Sequence, residues 1–289
     1  MTEVYPAVHS IVCEGIASER EVCEFLTVSR SAFQRWRRFE TSPREDEDRT
    51  LLPMIISIFH RHRRRYGTRR IVDELADREI YCSRRRVAKL LKIAGLKAIQ
   101  PKSFKPRTTE SKHSLGYSPN LILDLAEPHR ANQLWVGDIT YIPTVGLGFS
   151  YLATLMDRFS RMIVGWSLRT DMTEELVLTT LRQAITNRQP TAELIHHTDR
   201  GGQYAGTRYR GVLQRAKMQQ SMSRAGDCYD NAFMESCFGT FKTELEMTEY
   251  ENYRAALREI RNYIHYYNFE RKHSSLGYLT PSQFESKQK

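Results

Sequence analysis

The sequence lacks long apolar segments, and this shortage excludes one class of protein. Its longest apolar run, at 51–59, is interrupted by Pro53 and Ser57 and falls short of the roughly 18 residues that a membrane-spanning helix needs. The first residues show no basic segment ahead of an apolar core, so we expect no secretory signal. These features favour a soluble cytoplasmic protein without membrane contact.

The sequence also lacks cysteines at the spacing of a metal-binding motif. The five cysteines are odd in number, and no two have the spacing of a zinc-binding pair. We therefore expect reduced thiols. The chain of 289 residues, with 40% apolar and 27% charged residues, is long enough and apolar enough to bury a hydrophobic core.

Positive charge is in excess and is unevenly distributed. The net charge is +10, and residues 1–120 carry 24 basic against 15 acidic side chains, whereas residues 121–289 are nearly balanced. A basic surface kept only for solubility would not predict this segregation. The asymmetry favours a nucleic-acid-binding front end on a near-neutral body.

Residues 1–50 are predicted to contain a helix-turn-helix. Val22, Phe25 and Leu26 have helical spacing, a short break follows, and Ser29 can cap a second helix. Such a second helix presents polar residues to DNA, and the candidates here are Arg30, Gln34 and Arg37. A small helical hairpin with a basic face is the alternative interpretation. The acidic run at 43–49 is predicted to be a solvated linker.

Residues 51–99 are predicted to form a second, basic helix-turn-helix. Six arginines within ten residues exceed what solubility requires and suit phosphate contact; they are Arg61, Arg63, Arg64, Arg65, Arg69 and Arg70. Ser83 can cap a helix that ends at Gly95. Four basic residues near its start are candidate DNA contacts, namely Arg84, Arg85, Arg86 and Lys89.

Residues 100–124 are rich in proline, serine and charge and are predicted to be a linker. From 125 to 289 the pattern changes. Three strand candidates are followed by alternating helices and strands, and an aromatic helical extension closes the chain. This order predicts an α/β domain with a mixed sheet, and it matches the RNase H-like fold. We therefore expect an RNase H-like core preceded by an all-α helix-turn-helix region.

Three acids stand out in this second region. Asp138 interrupts the apolar run WVGDITYI, where an uncompensated carboxylate would be costly. Asp199 ends the strand candidate ELIHHTD and precedes two glycines. On the helix predicted from residue 231, periodicity places Glu235 at the edge of the apolar face, with Lys242 two turns further on the same line. Glu244 falls on the opposite side and is predicted to be a bystander, as is Glu246.

Carboxylates brought together repel one another, so this set predicts divalent metal. Two Mg²⁺ ions would suit an in-line phosphoryl displacement, and we expect Mn²⁺ as a substitute. Other candidates are predicted to be structural: Asp157 and Asp227 in turns, Asp230 as a helix cap, and His196 with His197 as strand residues that shape a pocket.

Several motifs of the sequence resemble those of a known family. WVGDITYI, HHTDRGGQY and SMSRAGDCYDNAFMESCFGTFKTE resemble the motifs of Asp-Asp-Glu transposases related to retroviral integrases, and 35 residues separate Asp199 from Glu235. YGTRRIVDEL and YNFERKHSSLGYLTPSQFE are similar to segments of OrfB-type transposases of bacterial insertion-sequence family three. Thr198 and Gly202 stand where that family often has serine, and the zinc domain of integrases is missing.

The resemblance implies Mg²⁺-dependent nicking of element ends and joining of the 3′-hydroxyl to target DNA. It assigns Asp138, Asp199 and Glu235 as catalytic metal ligands and Lys242 as a DNA contact. It also implies a homo-oligomer on paired ends, a separate or fused OrfA partner, and a bacterial, nucleoid-associated location. A non-catalytic DNA-binding regulator and a purely hydrolytic nuclease remain as alternatives.

Overall fold

A computed structural model describes residues 4–38, 41–100, 115–224, 232–246 and 249–288. The contacts divide the chain into two compact units, Met1–Ala98 and Ile99–Lys289. Asp227 and Asp230, which we predicted to act in a turn and as a helix cap, lie outside the described residues. In the part of the chain that is described, no helix is both long and apolar enough to cross a membrane.

The first unit begins with three short helices. These are α1 (Val4–Cys13), α2 (Glu19–Phe25) and α3 (Arg30–Arg37). Ser18 and Ser29 cap α2 and α3, and Thr27 adopts a left-handed conformation (φ 52°) in the turn between them. Val8, Val22 and Phe33 are buried together, whereas Phe25 is 86% exposed. The two predicted helices and the break between them are therefore present.

Three further helices follow: α4 (Pro43–Arg61), α5 (Thr68–Ala76) and α6 (Arg84–Ile93). The prediction of a solvated linker at 43–49 is wrong, because this run is the start of α4. Ser42 and Glu45 form a reciprocal capping box there, which satisfies backbone donors that a loop would leave to water. The exposed Pro53 lies inside α4 without ending it.

The second unit contains a mixed five-stranded sheet in its described residues. Its strands are β1 (Leu134–Thr144), β2 (Gly148–Asp157), β3 (Ile163–Arg169), β4 (Ile195–Thr198) and β5 (Gln219–Met222). The order is β3-β2-β1-β4-β5, with β1 antiparallel to β2 and parallel to β4. The mixed sheet predicted from the sequence is confirmed.

Helices cover both faces of this sheet. They are α7 (Glu174–Arg188), α8 (Gly202–Ala205), α9 (Thr207–Arg215), α10 (Ala232–Glu244), α11 (Tyr253–Phe269) and α12 (Pro281–Lys287), with a 3₁₀ turn at Ser274–Leu276. Trp135, Leu155 and Leu181 belong to a buried cluster between the sheet and α7 to α9. Because side chains alternate along a strand, Asp138 lies on the other face, where α10 and α11 contact β1.

Both edges of the sheet are hydrogen-bonded by groups outside the ladder. At the β3 edge, the side-chain amide of Asn268 accepts from Ile163 N and donates to Ile163 O, each at 2.9 Å. At the β5 edge, Met222 N donates to the carbonyl of Pro119 at 3.3 Å, and Ser221 Oγ accepts from Leu121 N at 2.9 Å. The bonds to the backbone of Ile163 and of Met222 occupy positions that a further strand would use.

Candidate active site

Asp138 lies in the middle of β1, the central strand of the sheet. Its Oδ1 accepts a hydrogen bond from Ile139 N at 2.7 Å, and the residue is partly buried. The preceding Gly137 has no room for a side chain, since a Cβ would come within 2.6 Å of Leu155 Cδ2 and 3.1 Å of His196 Cε1. The glycine therefore allows β1 to pack closely at the position that presents Asp138.

Asp199 directly follows β4, which runs parallel to β1. The register pairs Gly137 of β1 with Thr198 of β4. The residues that follow them, Asp138 and Asp199, therefore lie side by side. Asp199 Oδ1 accepts from Gly201 N at 2.9 Å. Burial raises the pKa of the Asp199 carboxyl group, and the Gly201 hydrogen bond opposes that rise.

Glu235 projects from the first turn of α10 and is exposed. Its negative charge nevertheless reaches Asp138. Burial is the largest cause of a strong rise in the pKa of Asp138, followed by the charge of Asp199, and the charge of Glu235 raises it further. The structure thus brings the three predicted acids into one electrostatic neighbourhood.

Lys242 lies two turns along α10 from Glu235 and is partly buried. Burial lowers the pKa of its ammonium group, and the negative charge of Asp138 partly reverses that effect. In return, Lys242 lowers the pKa of Asp138. Lys242 and Asp138 therefore interact electrostatically.

The described residues include no set of three His, Cys, Asp or Glu side chains close enough to hold a metal ion. Asp138 interacts through charge with Asp199 and with Glu235. All three offer oxygen donors, which Mg²⁺ prefers. Burial raises the pKa of Asp138 most, and the charges of Asp199 and Glu235 add to the rise. A divalent cation bound beside these acids would stabilise their ionised forms.

The histidines beside Asp199 lie within β4, as the sequence predicted. Both are fully buried on β4. His196 Nε2 lies 2.6 Å from the hydroxyl of Tyr209, and His197 Nδ1 lies 2.8 Å from Ser221 Oγ. Burial, with a smaller contribution from the neighbouring His197, lowers the pKa of His196 to about 3, so its ring is neutral.

Asp157 is also structural. It is fully buried at the end of β2. Its carboxylate accepts hydrogen bonds from the backbone of Asn132 at 2.6 Å, of Phe159 at 3.0 Å and of Ser160 at 3.1 Å. These bonds fix the tight turn into β3 and leave Asp157 apart from the three acids.

Sequence reasoning missed two features of the site. Tyr204 is buried next to the acids: burial raises the pKa of its hydroxyl most, and the charges of Asp199 and Asp138 add to this. Glu244 is no bystander, because it is buried and forms an ion pair with Arg271 at 2.7 Å. The position of Tyr204 after the glycine pair was a usable signal for the first feature, whereas nothing local to Glu244 indicated a partner 27 residues away.

The predicted DNA contacts of α3 converge on one acid. Glu19 of α2 accepts from Arg30 Nε at 3.0 Å, from Gln34 Nε2 at 2.6 Å and from Arg37 Nη1 at 3.2 Å. The hydrogen bonds from Gln34 and Arg30 are the main causes of a lowered pKa of Glu19. These side chains therefore also hold α2 against α3.

The basic residues of α6 fall into two groups. Arg84, Arg85 and Lys89 are exposed, although Lys89 Nζ lies 3.6 Å from Asp48. Arg86 is partly buried and pairs with Asp48 at 2.6 Å and with Glu47 at 2.9 Å, both on α4. Arg86 thus fastens α6 to the acidic start of α4.

The arginine-rich stretch lies at the end of α4, in the following loop and at the start of α5. Most of its members are exposed, namely Arg61, Arg63, Arg64 and Arg69. Arg65 and Arg70 are partly buried, and Arg70 Nη1 donates to the carbonyl of Arg65 at 3.3 Å. Arg63 and Arg64 both have left-handed backbone conformations, with φ of 48° and 64°.

Comparison with known families assigns both units. The family described as "Integrase core domain" matches residues 128–228, and a second family with the same description matches 216–281. A family described as "HTH-like domain" matches residues 45–104. Together with the strand order of the sheet, the match defines an RNase H-like integrase core, in an enzyme of the Asp-Asp-Glu transposase and integrase class.

Curated relatives extend the match to most of the chain. The IS600 uncharacterized 31 kDa protein of Shigella sonnei is 40% identical over 92% of this chain and 98% of its own. The transposase for IS904 of Lactococcus lactis is 41% identical over 84% and 96%. Transposase InsF for IS3A of Escherichia coli K12 is 37% identical over 93% and 94%. The chain belongs to the IS3 family of insertion-sequence transposases.

Similar solved structures include a chain of the simian T-cell lymphotropic virus intasome in complex with PP2A regulatory subunit B56 gamma. It has a TM-score of 0.47 and 16% identity, and the match covers 71% of this chain and 67% of that one. The HTLV-2 integrase catalytic core domain in complex with magnesium has a TM-score of 0.44 and 17% identity, with 54% and 98% covered. At these scores, the fold assignment rests on the family matches and the sheet. The resemblance and fold class expected from the sequence are thereby confirmed.

Proposed function

We propose that this transposase cuts DNA at the ends of its element and joins the freed 3′-hydroxyl groups to target DNA. The observation that carries the proposal is the position of Asp138, a buried carboxyl group close to two other acids and to Lys242. Burial and the negative charges of Asp199 and Glu235 raise the pKa of its carboxyl group, while Lys242 opposes the rise. Neighbouring acids with one partly buried cation suit the binding of metal ions and a phosphate.

We assign the metal-binding role to Asp138, Asp199 and Glu235. Their donors are all carboxylate oxygens, which suit two Mg²⁺ ions, and Mn²⁺ should substitute. When bound, such a pair of ions activates an attacking oxygen and stabilises the leaving oxygen of an in-line displacement. The hydrogen bond from Gly201 N to Asp199 Oδ1, at 2.9 Å, holds one of these ligands in place beforehand.

DNA would approach the site along α10. The Lys242 ammonium lies on the same side as Glu235 and would contact the phosphate beside the reacting bond. Between them, Gly239 is exposed, and a Cβ built there would meet no atom within 4 Å. This open position allows a DNA backbone to come close to the helix.

Each of the two chemical steps exchanges one P–O bond for another, so neither step needs an energy source. In cutting, a water oxygen attacks the phosphorus at the element end, the P–O3′ bond breaks, and a water proton goes to the released 3′ oxygen. In joining, that 3′-hydroxyl oxygen attacks a phosphorus of the target. A target P–O3′ bond breaks as the new P–O bond forms, and the hydroxyl proton ends on the released target oxygen.

The first unit would supply most of the DNA affinity. Exposed arginines and lysines on α6 suit contact with bases and phosphates; these are Arg84, Arg85 and Lys89. The arginines of the stretch at 61–70 suit backbone contact. Arg30, Gln34, Arg37 and Arg86 also bind acidic side chains within the unit, so a phosphate would have to compete with Glu19 or Asp48 for them.

We further propose that the protein acts as a homo-oligomer on double-stranded DNA that pairs two element ends. Each end carries its own reacting phosphate, so two ends need two sets of acids. The relatives are named as transposases of insertion sequences, and an OrfA partner, separate or fused, would complete recognition of the terminal repeats. The bacterial cytoplasm, close to the nucleoid, is where this substrate is found.

The test is a strand-transfer assay with the full chain, Mg²⁺, and labelled oligonucleotides from the ends of the element. Asp199→Asn should keep DNA binding but lose joining by at least about a hundredfold, because a metal ligand contributes several kcal/mol to the transition state. Asp171→Asn is the matched control, since Asp171 pairs with Arg169 on the surface and should leave joining unchanged.

Other results of the assay would favour different functions. Joining that survives Asp199→Asn would refute the assignment of the acids. Cut ends without joined strands, under all conditions, would restrict the protein to hydrolysis. Specific binding by the wild-type chain with no cutting or joining would favour a DNA-binding regulator.

A further inference from the structure

A buried ion pair joins the end of α10 to the segment after α11. Glu244 and Arg271 are only 8% and 6% exposed. Arg271 Nη2 donates to Glu244 Oε1 at 2.7 Å and Arg271 Nε donates to Oε2 at 2.8 Å. The hydroxyl of Tyr263 donates to Oε2 at 3.0 Å. The carboxylate of Glu244 is therefore fixed by donors from two directions.

Arg271 is itself held on its other side. Its Nη1 lies 3.2 Å from His273 Nδ1, and its Cζ lies 5.5 Å from the centroid of the Tyr267 ring. Burial would lower the pKa of Arg271, but the charge and hydrogen bonds of Glu244 raise it above its ordinary value. The guanidinium group therefore stays charged beside Glu244.

The pair lies on the opposite side of α10 from Glu235. Glu244 comes nine positions after Glu235 in the chain, and at 100° per residue the two side chains differ by about half a turn around α10. Turning Glu244 toward Arg271 therefore turns Glu235 away from Arg271. Because α10 packs against β1, the strand that carries Asp138, the rotation of α10 also sets the direction of Glu235 relative to Asp138.

The apolar contacts of α10 fix its distance from the elements beneath it more firmly than its rotation about its own axis. Phe241 lies 4.6 Å from the Tyr263 ring and 5.6 Å from the Tyr267 ring, centroid to centroid, and Met234 is fully buried. Dispersion contacts of this kind are weakly directional. A bidentate guanidinium–carboxylate pair has one preferred geometry, so a small rotation or slide of α10 would break it.

We infer that the Glu244–Arg271 pair is a positioning device that sets the rotation of α10 and so directs Glu235 toward Asp138. The inference rests on the proposed function, because it gives Glu235 the role of a metal ligand. Glu244 and Arg271 touch neither substrate nor metal in this scheme. A buried ion pair is weak evidence for stability, since apolar replacements are often as stable, and this property allows position to be tested separately from folding.

The experiment replaces both partners in the full chain, as Glu244→Met with Arg271→Met. The matched control removes another bidentate pair, Arg188→Met with Glu285→Met. Arg188 donates to both oxygens of Glu285 at 2.8 Å and links α7 to α12, elements that carry none of the three acids. Three quantities are measured for each protein: the thermal midpoint, the dissociation constant for Mn²⁺, and the Mg²⁺ concentration at half-maximal joining.

The Glu244/Arg271 double variant should unfold cooperatively at a midpoint close to that of the wild type. Its Mn²⁺ binding should weaken by about tenfold or more, as expected when support of a metal ligand is lost, and joining should need correspondingly more Mg²⁺. The Arg188/Glu285 variant should keep wild-type metal affinity. A stable Glu244/Arg271 variant with unchanged Mn²⁺ affinity would overturn the inference.

Glu235→Gln, measured in parallel, separates the inference from the proposed function. If Glu235→Gln weakens Mn²⁺ binding and the Glu244/Arg271 double variant does not, only the inference fails. If Glu235→Gln leaves Mn²⁺ binding unchanged, the proposed role of Glu235 fails and the inference fails with it. A further loss of affinity on combining Glu235→Gln with the double variant would also count against it, because the pair would then act on something other than Glu235.

Should the double variant not fold, Arg271→Lys decides the question. Lysine keeps the buried charge but cannot form the two parallel hydrogen bonds. Weaker Mn²⁺ binding in the folded Arg271→Lys protein supports the inference, and wild-type affinity refutes it.

Discussion

Gly201 is a position where one added methyl group should separate activity from stability. Its backbone angles, φ −59° and ψ 137°, are open to any residue, so Gly201→Ala introduces no backbone strain. The new Cβ would lie 3.0 Å from Asp199 Oδ1 and 2.9 Å from Gln203 Oε1, whereas ordinary contact begins at 3.4 Å. The flexible end of Gln203 can move away, but the Asp199 carboxylate must shift by about 0.4 Å to restore ordinary contact.

The expected effect on folding is small and the effect on chemistry is larger. Gly→Ala stabilises by about 0.4–1 kcal/mol through the unfolded chain, which the local crowding offsets, so the free energy of unfolding should change by less than about 1 kcal/mol. A displacement of about 1 Å in a reacting constellation costs about a hundredfold. A shift of about 0.4 Å should therefore slow joining by about fivefold to tenfold.

The assay compares Gly201→Ala with Gly211→Ala in strand transfer and in thermal unfolding. Gly211 lies in α9, and a Cβ there meets only Arg215 Nη1, at an ordinary 3.4 Å, so its joining rate should match the wild type. Equal rates for both variants would refute the claim that the space beside Asp199 is limiting. A large loss of stability in Gly201→Ala would refute the division between activity and folding.

Three further predictions concern α10 and the first unit. Gly239→Ala should raise the stability of α10 by about 1 kcal/mol. It should nevertheless weaken joining, because the added methyl group occupies the open approach to α10. A stabilised protein with full joining activity would exclude a close approach of DNA at this position. Arg85→Ala should weaken DNA binding and reduce the log–log salt slope by about 1, as measured in binding titrations; an unchanged slope would remove Arg85 from the phosphate contacts. Hydrogen bonding from Arg86 lowers the pKa of Asp48, so the pair stabilises above the unfolded carboxyl pKa of about 3.9 and its contribution is lost as pH falls through the lower folded pKa. Asp48→Asn should therefore cost about 1 kcal/mol at pH 7 and flatten the acid side of a stability–pH profile; parallel profiles for the two proteins would contradict this.

The strands and the three acids could be predicted because their signals are local. Apolar runs rich in β-branched residues mark β1 to β3, and an acid inside or just after such a run is conspicuous. The parallel register of β1 and β4, which brings Asp138 beside Asp199, needed only the fold class in addition. Periodicity likewise placed Glu235 and Glu244 on opposite sides of one helix.

The start of α4 was missed although its signal is present. Ser42 followed by Pro43 and Glu45 is a capping box with proline in the first turn, which predicts a helix start. The acidic run at 43–49 suggested a linker only because the basic residue that pairs with it is distant in the sequence. That partner is Arg86, 38 residues away from Asp48 in the chain.

Contacts between residues distant in the chain account for what else the sequence did not show. Arg30, Gln34 and Arg37 have the pattern of a DNA-binding face, yet all three reach Glu19 on the preceding helix. The role of Glu244 depends on Arg271. Charge and periodicity show which face of a helix a residue occupies, but only the fold shows which opposite charge it meets there.

The bonds at the sheet edges limit how copies of this protein can assemble. Asn268 occupies both backbone groups of Ile163, and Pro119 accepts from Met222. Two cores could extend their sheets into one another only by first breaking these bonds. If copies pair two DNA ends as proposed, they would meet through side-chain surfaces and the DNA itself. The same bonds protect the cores against the strand-to-strand aggregation that open sheet edges invite.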